Sequence, residues 1–103
     1  MPSTYSNLLF HVVFSVKERR KLLSEDVRGR LYPYISGIAN KNDFKTLVIN
    51  GTNDHIHILL SLKPEISVSK AVQLIKGGSS KWLHDNFPDL NIFSWQEGYG
   101  AFT

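Results

Sequence analysis

The residues with the clearest chemical potential are His55 and His57, two apart in the run Asn53-Asp54-His55-Ile56-His57-Ile58-Leu59-Leu60-Ser61-Leu62. The run is apolar and rich in β-branched residues, so it reads as a strand. Side chains alternate across a strand, and residues i and i+2 share a face. His55 and His57 therefore project together from one side, with Ile56 and Ile58 on the other. Two imidazoles held close by rigid backbone make half of a site for a divalent metal ion. The same spacing also fits two half-exposed histidines on an ordinary strand, and the rest of the chain must decide between them.

The elements that position this pair follow from periodicity. Residues 8–16 (LLFHVVFSV) read as a buried strand, and Lys17-Glu18-Arg19-Arg20-Lys21 as a turn carrying four cations. Ser24 starts a helix as N-cap, with Glu25 and Asp26 in the first turn where the helix dipole favours them. Val27, Leu31, Ile35 and Ile38 keep helical spacing to a stop at residues 40–43, with Pro33 expected to kink or split the helix. Residues 44–50 (FKTLVIN) form a second strand, Gly51-Thr52-Asn53 a turn, and residues 55–62 the third strand. Ser67 or Ser69 caps a second helix carrying Val68, Val72, Ile75 and Leu83. Gly77-Gly78-Ser79-Ser80 interrupts it, which points to a break or to a close backbone approach. After a loop containing Pro88, residues 92–102 read as a final strand or extended arm.

The order βαββαβ predicts an α+β, ferredoxin-like fold: a four-stranded antiparallel sheet with two helices on one face. The other face stays open, and polar members of apolar strands should point there. His11 shares its parity with Leu9 and Val13, so it is a candidate to join the histidine pair on that face, or to be an ordinary hydrogen-bonded strand histidine.

With 103 residues the chain suffices for one small domain, 1–103, with no linker or repeat. An apolar share of 42% is that of a globular protein, and no run approaches the roughly 20 apolar residues that span a bilayer. Residues 1–7 lack the basic stretch and cleavage site of a signal peptide. The absence of cysteine excludes a disulfide framework and a thiolate metal site, so a cytoplasmic location is expected. A net charge of +3 is compatible with a polyanionic partner without requiring one.

Four segments, in order, carry a resemblance. Phe10-His11-Val12-Val13-Phe14-Ser15-Val16-Lys17 followed by Arg19-Arg20 is similar to the opening strand and basic turn of single-tyrosine HUH transposases of bacterial insertion sequences. These are the IS200-like transposases, including the REP-associated tyrosine transposases. Asn53-Asp54-His55-Ile56-His57-Ile58-Leu59 resembles their histidine-hydrophobic-histidine motif. Ile75-Lys76-Gly77-Gly78-Ser79-Ser80 resembles a segment of their second helix, and Trp95-Gln96-Glu97-Gly98-Tyr99-Gly100-Ala101-Phe102 a later one.

The resemblance implies DNA transposition by transesterification of single-stranded DNA. His55 and His57, with a third polar ligand, would hold Mg²⁺ or Mn²⁺ against the scissile phosphate. A tyrosine would attack phosphorus and keep the bond energy as a 5′-phosphotyrosine, so no ATP motif is needed. The family's nucleophile and a metal-binding glutamine lie on a further helix in a Y-x-x-x-Q pattern. This sequence stops at Thr103 before such a helix, so a C-terminally truncated domain, inactive alone, is expected. Tyr5, Tyr32, Tyr34 and Tyr99 do not stand in that context. A single-stranded DNA hairpin and a second copy, as a homodimer, are the implied partners.

Candidate DNA contacts are Lys17, Arg19, Arg20 and Lys21 on the basic turn, suited to phosphates. Lys76, Ser79, Ser80 and Lys81 on the second helix join them through cations, hydroxyls and close backbone. Trp82 and Trp95 are either base-stacking residues or core. Two other readings fit the same element order. One is a non-catalytic nucleic-acid-binding module of RNA-recognition-motif architecture, although its paired strand aromatics are replaced here by histidines. The other is a dimerising ferredoxin-like protein without a DNA role.

Overall fold

The structure, a computed structural model, describes residues 7–103. Strand β1 (Leu8–Ser15) and strand β3 (His55–Leu62) pair antiparallel at the centre of one sheet, with Val12 opposite Ile58, Val13 opposite His57 and Ser15 opposite His55. Strand β2 (Lys45–Gly51) flanks β3 and the short β4 (Gly100–Phe102) flanks β1, giving the order β2-β3-β1-β4. All neighbours are antiparallel. Helices α1 (Glu25–Lys41) and α2 (Val68–Asn86) complete the ferredoxin-like βαββαβ arrangement expected from the sequence.

One row of each central strand makes the core. Val12 and Phe14 of β1 are buried with Ile56, Ile58, Leu60 and Leu62 of β3. Val27, Leu31, Ile35 and Ala39 of α1 meet them at steps of four, and Ala71, Val72, Ile75 and Leu83 do so from α2. Each large aliphatic side chain so buried contributes about 1.5–3 kcal/mol. The helices start where hydroxyls satisfy free backbone donors: Ser24 Oγ accepts from Val27 N–H (3.2 Å) and Ser67 Oγ from Lys70 N–H (3.0 Å). Of the two cap candidates for α2, Ser69 instead pairs its hydroxyl with Tyr99 Oη at 2.6 Å.

The structure decides three expectations that the sequence left open. Pro33 leaves α1 a single element, because Pro33 and Gly29, whose carbonyl loses its partner, both face solvent while the opposite side packs. Likewise Gly77-Gly78 does not interrupt α2. A Cβ on Gly78 would lie 2.8 Å from Ile38 Cδ1, so that glycine lets the two helices approach, whereas Gly77 faces open space. The final segment is an arm: it bridges Val16 at Trp95, turns at Gly98 (φ +82) and pairs with β1 only over Gly100–Phe102. Among the described residues no helix is long and apolar enough to cross a membrane.

The two glycines should therefore respond oppositely. Gly77→Ala should stabilise the fold by about 1 kcal/mol through helix propensity. Gly78→Val should destabilise it by about 1–3 kcal/mol by forcing the helices apart. Denaturant unfolding of both variants measures the difference, and equal effects would contradict the assignment of the helix contact.

Candidate functional site

The histidines stand on the uncovered face of the sheet, where the parity of β1 also places His11. The turn before β3 is tightly made. Thr52 N–H donates to His55 O (2.9 Å), and a Cβ on Gly51 would lie 2.3 Å from that same oxygen, so only glycine fits there. Asp54 O accepts from Val16 N–H (2.8 Å) and Asn53 O from Leu23 N–H (2.9 Å), so the turn is pinned to the chain on either side of the basic turn.

From this frame the two Nε2 atoms converge, 3.1 Å apart. The opposite nitrogens are both engaged: His55 Nδ1 lies 2.8 Å from Asp54 Oδ1, and His57 Nδ1 lies 3.2 Å from His11 Nε2. The His11 and His57 rings stack with centroids 5.3 Å apart. Asp54 Oδ1 also accepts from Arg19 Nη2 (3.2 Å) and Thr52 Oγ1 (3.1 Å). The bond to His55, then the one to Arg19, holds the Asp54 carboxyl down at about 2, so it is an anion at neutral pH. Burial, then the neighbouring His55 and His11, lowers the His57 pKa below the ordinary histidine value. A neutral imidazole with a free lone pair results.

This donor set fits a divalent ion. With metal–nitrogen bonds of about 2.1 Å, nitrogens 3.1 Å apart subtend roughly 95° at a shared centre, near the angle between adjacent octahedral ligands. His11 touches His57 from its Nδ1 side and does not face that centre. Among the described residues no group of three His, Cys, Asp or Glu side chains converges as ligands. Beside the pair, His11, Val48, Asn50, His57 and Leu59 line an open cavity of about 310 Å³.

The four cations of the basic turn separate. Residues Lys17–Arg19 form a 3-10 turn in which Glu18 (φ 58) and Arg19 (φ 55) are left-handed, a strained arrangement for non-glycine residues. Gln96 Oε1 secures it by accepting from Glu18 N–H at 3.1 Å. Arg19 turns to Asp54, while Lys17, Arg20 and Lys21 are exposed and, among the described residues, without ion pairs.

On α2 the expected contacts are largely structural. Ser79 is fully buried, and its hydroxyl accepts from Trp95 Nε1–H (3.0 Å) and reaches Lys76 O (3.3 Å). That placement removes Ser79 from the DNA-contact set, because a phosphate cannot reach it. Lys76 Nζ donates to Gln96 O (2.6 Å) and Gly98 O (2.9 Å), bracing the arm, and its burial lowers its pKa. Ser80 is half-buried, and exposed Lys81 pairs with Asp85 at 2.8 Å. Trp95 is core, edge-on to Phe14 and Phe93, both at 4.8 Å. Trp82 is half-buried and stacks on Tyr34 at 4.8 Å.

Sequence reasoning missed the carboxylate role of Asp54 and the side-chain cap by Gln96. A carboxylate directly before the first histidine was a usable signal for Asp54; no local pattern announced the contact of Gln96 with the basic turn.

The family model "Transposase IS200 like" matches residues 4–103. The chain belongs to the IS200-like transposase family. The transposase of insertion sequence element IS200 from Salmonella typhimurium LT2 is 32% identical over 98 residues, covering 90% of this chain and 64% of the relative. The ISDra2 transposase TnpA of Deinococcus radiodurans is 28% identical over 88 residues, covering 85% and 63%. The chain thus spans just under two thirds of the length of these relatives. Two solved structures share its fold. A crystal structure of a transposase candidate from Deinococcus radiodurans R1 superposes with a TM-score of 0.93 at 23% identity, over 100% of this chain and 83% of that one. A REP-associated tyrosine transposase bound to a REP hairpin gives 0.69 at 16% identity, over 95% and 56%.

Within this transposase fold the Ser79–Trp95 bond should count for stability. Ser79→Ala strands the buried indole N–H and should cost about 1–3 kcal/mol. Thermal unfolding measures it, and an unchanged midpoint would contradict the assignment of a buried bond.

Proposed function

We propose that these residues form the cation- and phosphate-holding part of a DNA transposase that breaks and rejoins single-stranded DNA by transesterification. The convergence of His55 and His57 Nε2 at 3.1 Å, with the far side of His55 fixed on ionised Asp54, carries this reading. Bound there, Mg²⁺ or Mn²⁺ would polarise the scissile phosphate and offset the charge developing on its oxygens. Imidazole is a soft partner for Mg²⁺, so binding by the pair alone is weak and a DNA phosphate helps to complete it. Asp54 Oδ1 accepts a hydrogen bond from His55 Nδ1–H, which keeps that proton on Nδ1 and leaves Nε2 free to ligate.

Lys17, Arg20 and Lys21 meet the DNA backbone as phosphate contacts, with Ser80 and Lys81 as a second set on α2. A hairpin is the proposed substrate form, by extension from the REP-associated relative bound to a REP hairpin. The attacking tyrosine is not among the described ones. The hydroxyl of Tyr99 is held by Ser69, the ring of Tyr34 by Trp82, and the Tyr32 hydroxyl is buried on α1. Tyr5 lies outside the described residues. The reading therefore includes that this chain alone binds but does not cleave.

Titration with Mn²⁺ tests the cation site: His57→Ala should weaken binding at least tenfold, and equal binding would overturn the site. Lys21→Ala should weaken hairpin binding while lowering the salt slope by about one phosphate contact. A covalent protein–DNA adduct formed by the unmodified chain with hairpin DNA would overturn the binding-only reading.

A further inference from the structure

His11 has no counterpart among conventional cation ligands here, yet it is in direct contact with one of the pair. Its Nε2 lies 3.2 Å from His57 Nδ1, and the rings stack at an interplanar angle of 25°. For His57 to offer its Nε2 lone pair, the ring proton must sit on Nδ1. A proton there faces His11 Nε2. His55 meets the same requirement through Asp54, 2.8 Å from its Nδ1. The pair thus has two outer partners, a carboxylate for one ring and an imidazole for the other.

We infer that His11 is a positioning residue which fixes the tautomer and orientation of His57 by accepting its Nδ1–H, so that Nε2 points at the cation. This rests on the cation reading of His55 and His57. The choice of an imidazole over a second carboxylate has a physical reason. His57 lines a cavity with Val48 and Leu59, and an imidazole acceptor orients its ring without placing a second carboxylate on that surface. His11 is opposite Phe102 in the β1–β4 register, and the Phe102 ring lies 6.2 Å away, limiting its swing on that side. Outer partners of metal-bound histidines typically change metal affinity 10–100-fold when removed.

Three versions of the full chain separate this role from simple packing: wild type, His11→Phe and His11→Gln. Phenylalanine keeps the stacked ring and loses the acceptor; glutamine keeps an acceptor oxygen and loses the ring. With folding checked by circular dichroism, Mn²⁺ titration followed by electron paramagnetic resonance should show binding 10–100-fold weaker for His11→Phe. His11→Gln should stay within a few-fold of wild type. Wild-type affinity in His11→Phe, or equal losses in both variants, would overturn the acceptor role. A second measurement needs no metal: ¹⁵N spectra of the His57 ring at a pH where all histidines are neutral. They should show one tautomer in wild type and a mixture in His11→Phe, and identical patterns would overturn the inference. If wild type bound no Mn²⁺, the cation reading would fail, and the ring spectra would still decide the role of His11.

Discussion

Val13 faces His57 and Ser15 faces His55 across the central strand pair, and that register serves both faces of the sheet at once. Because side chains alternate with a period of two, sliding β1 against β3 by one residue would exchange the faces of the slipped strand. Val12 and Phe14 would go to water, and His11 would leave His57. The hydrophobic row is thus what holds the polar row in place. Ile56, Ile58, Leu60 and Leu62 are all buried against the helices, so the energy of the core is spent on one register only. The separation of 3.1 Å between the two Nε2 atoms is a by-product of that burial.

Asp54 extends the same constraint to the loops. It is the junction of Arg19, Thr52 and His55, three groups from the basic turn, the β2–β3 turn and β3. Its carboxylate is ionised because its partners favour the anion, and the anion in turn keeps the His55 proton on Nδ1. The left-handed backbone at Glu18 and Arg19 brings the guanidinium to that junction. Gln96 reaches from the arm to hold the strained turn, and Lys76 holds the arm from α2. A surface that would otherwise be three independent loops is tied into one arrangement around the histidines.

Much of the frame was legible because it is local. Strand β3 has the boundaries its pattern suggested, Ser24 caps α1, and the parity of His11 put it on the correct face. What escaped depends on partners distant in sequence. Nothing in Lys76-Gly77-Gly78-Ser79-Ser80 says that Ser79 will meet Trp95, or that Gly78 will meet Ile38; a hydroxyl suited to a phosphate is equally suited to an indole N–H. Helical periodicity pairs residues within one helix and is silent about the neighbour. The basic turn was read correctly as cationic, but its split into Arg19 inward and Lys17, Arg20 and Lys21 outward follows from backbone dihedrals that composition does not encode.

The open face also carries apolar surface beyond what a purely solvated sheet would choose. Leu9 is 50% exposed, Val48 58% and Phe102 60%. Each forgoes part of the roughly 1.5–3 kcal/mol that full burial of such a side chain would bring. The return is electrostatic. Val48 and Leu59 line the cavity with His57, and partial removal from water is the first cause of its lowered pKa. A ligand imidazole must be unprotonated, and a cation that had to displace a proton would bind more weakly as the pH fell. The two rings therefore stand in different surroundings: an ionised carboxylate accepts the Nδ1–H of His55, while apolar neighbours disfavour a charge on His57. From those different surroundings the two rings bring their Nε2 atoms to within 3.1 Å of each other.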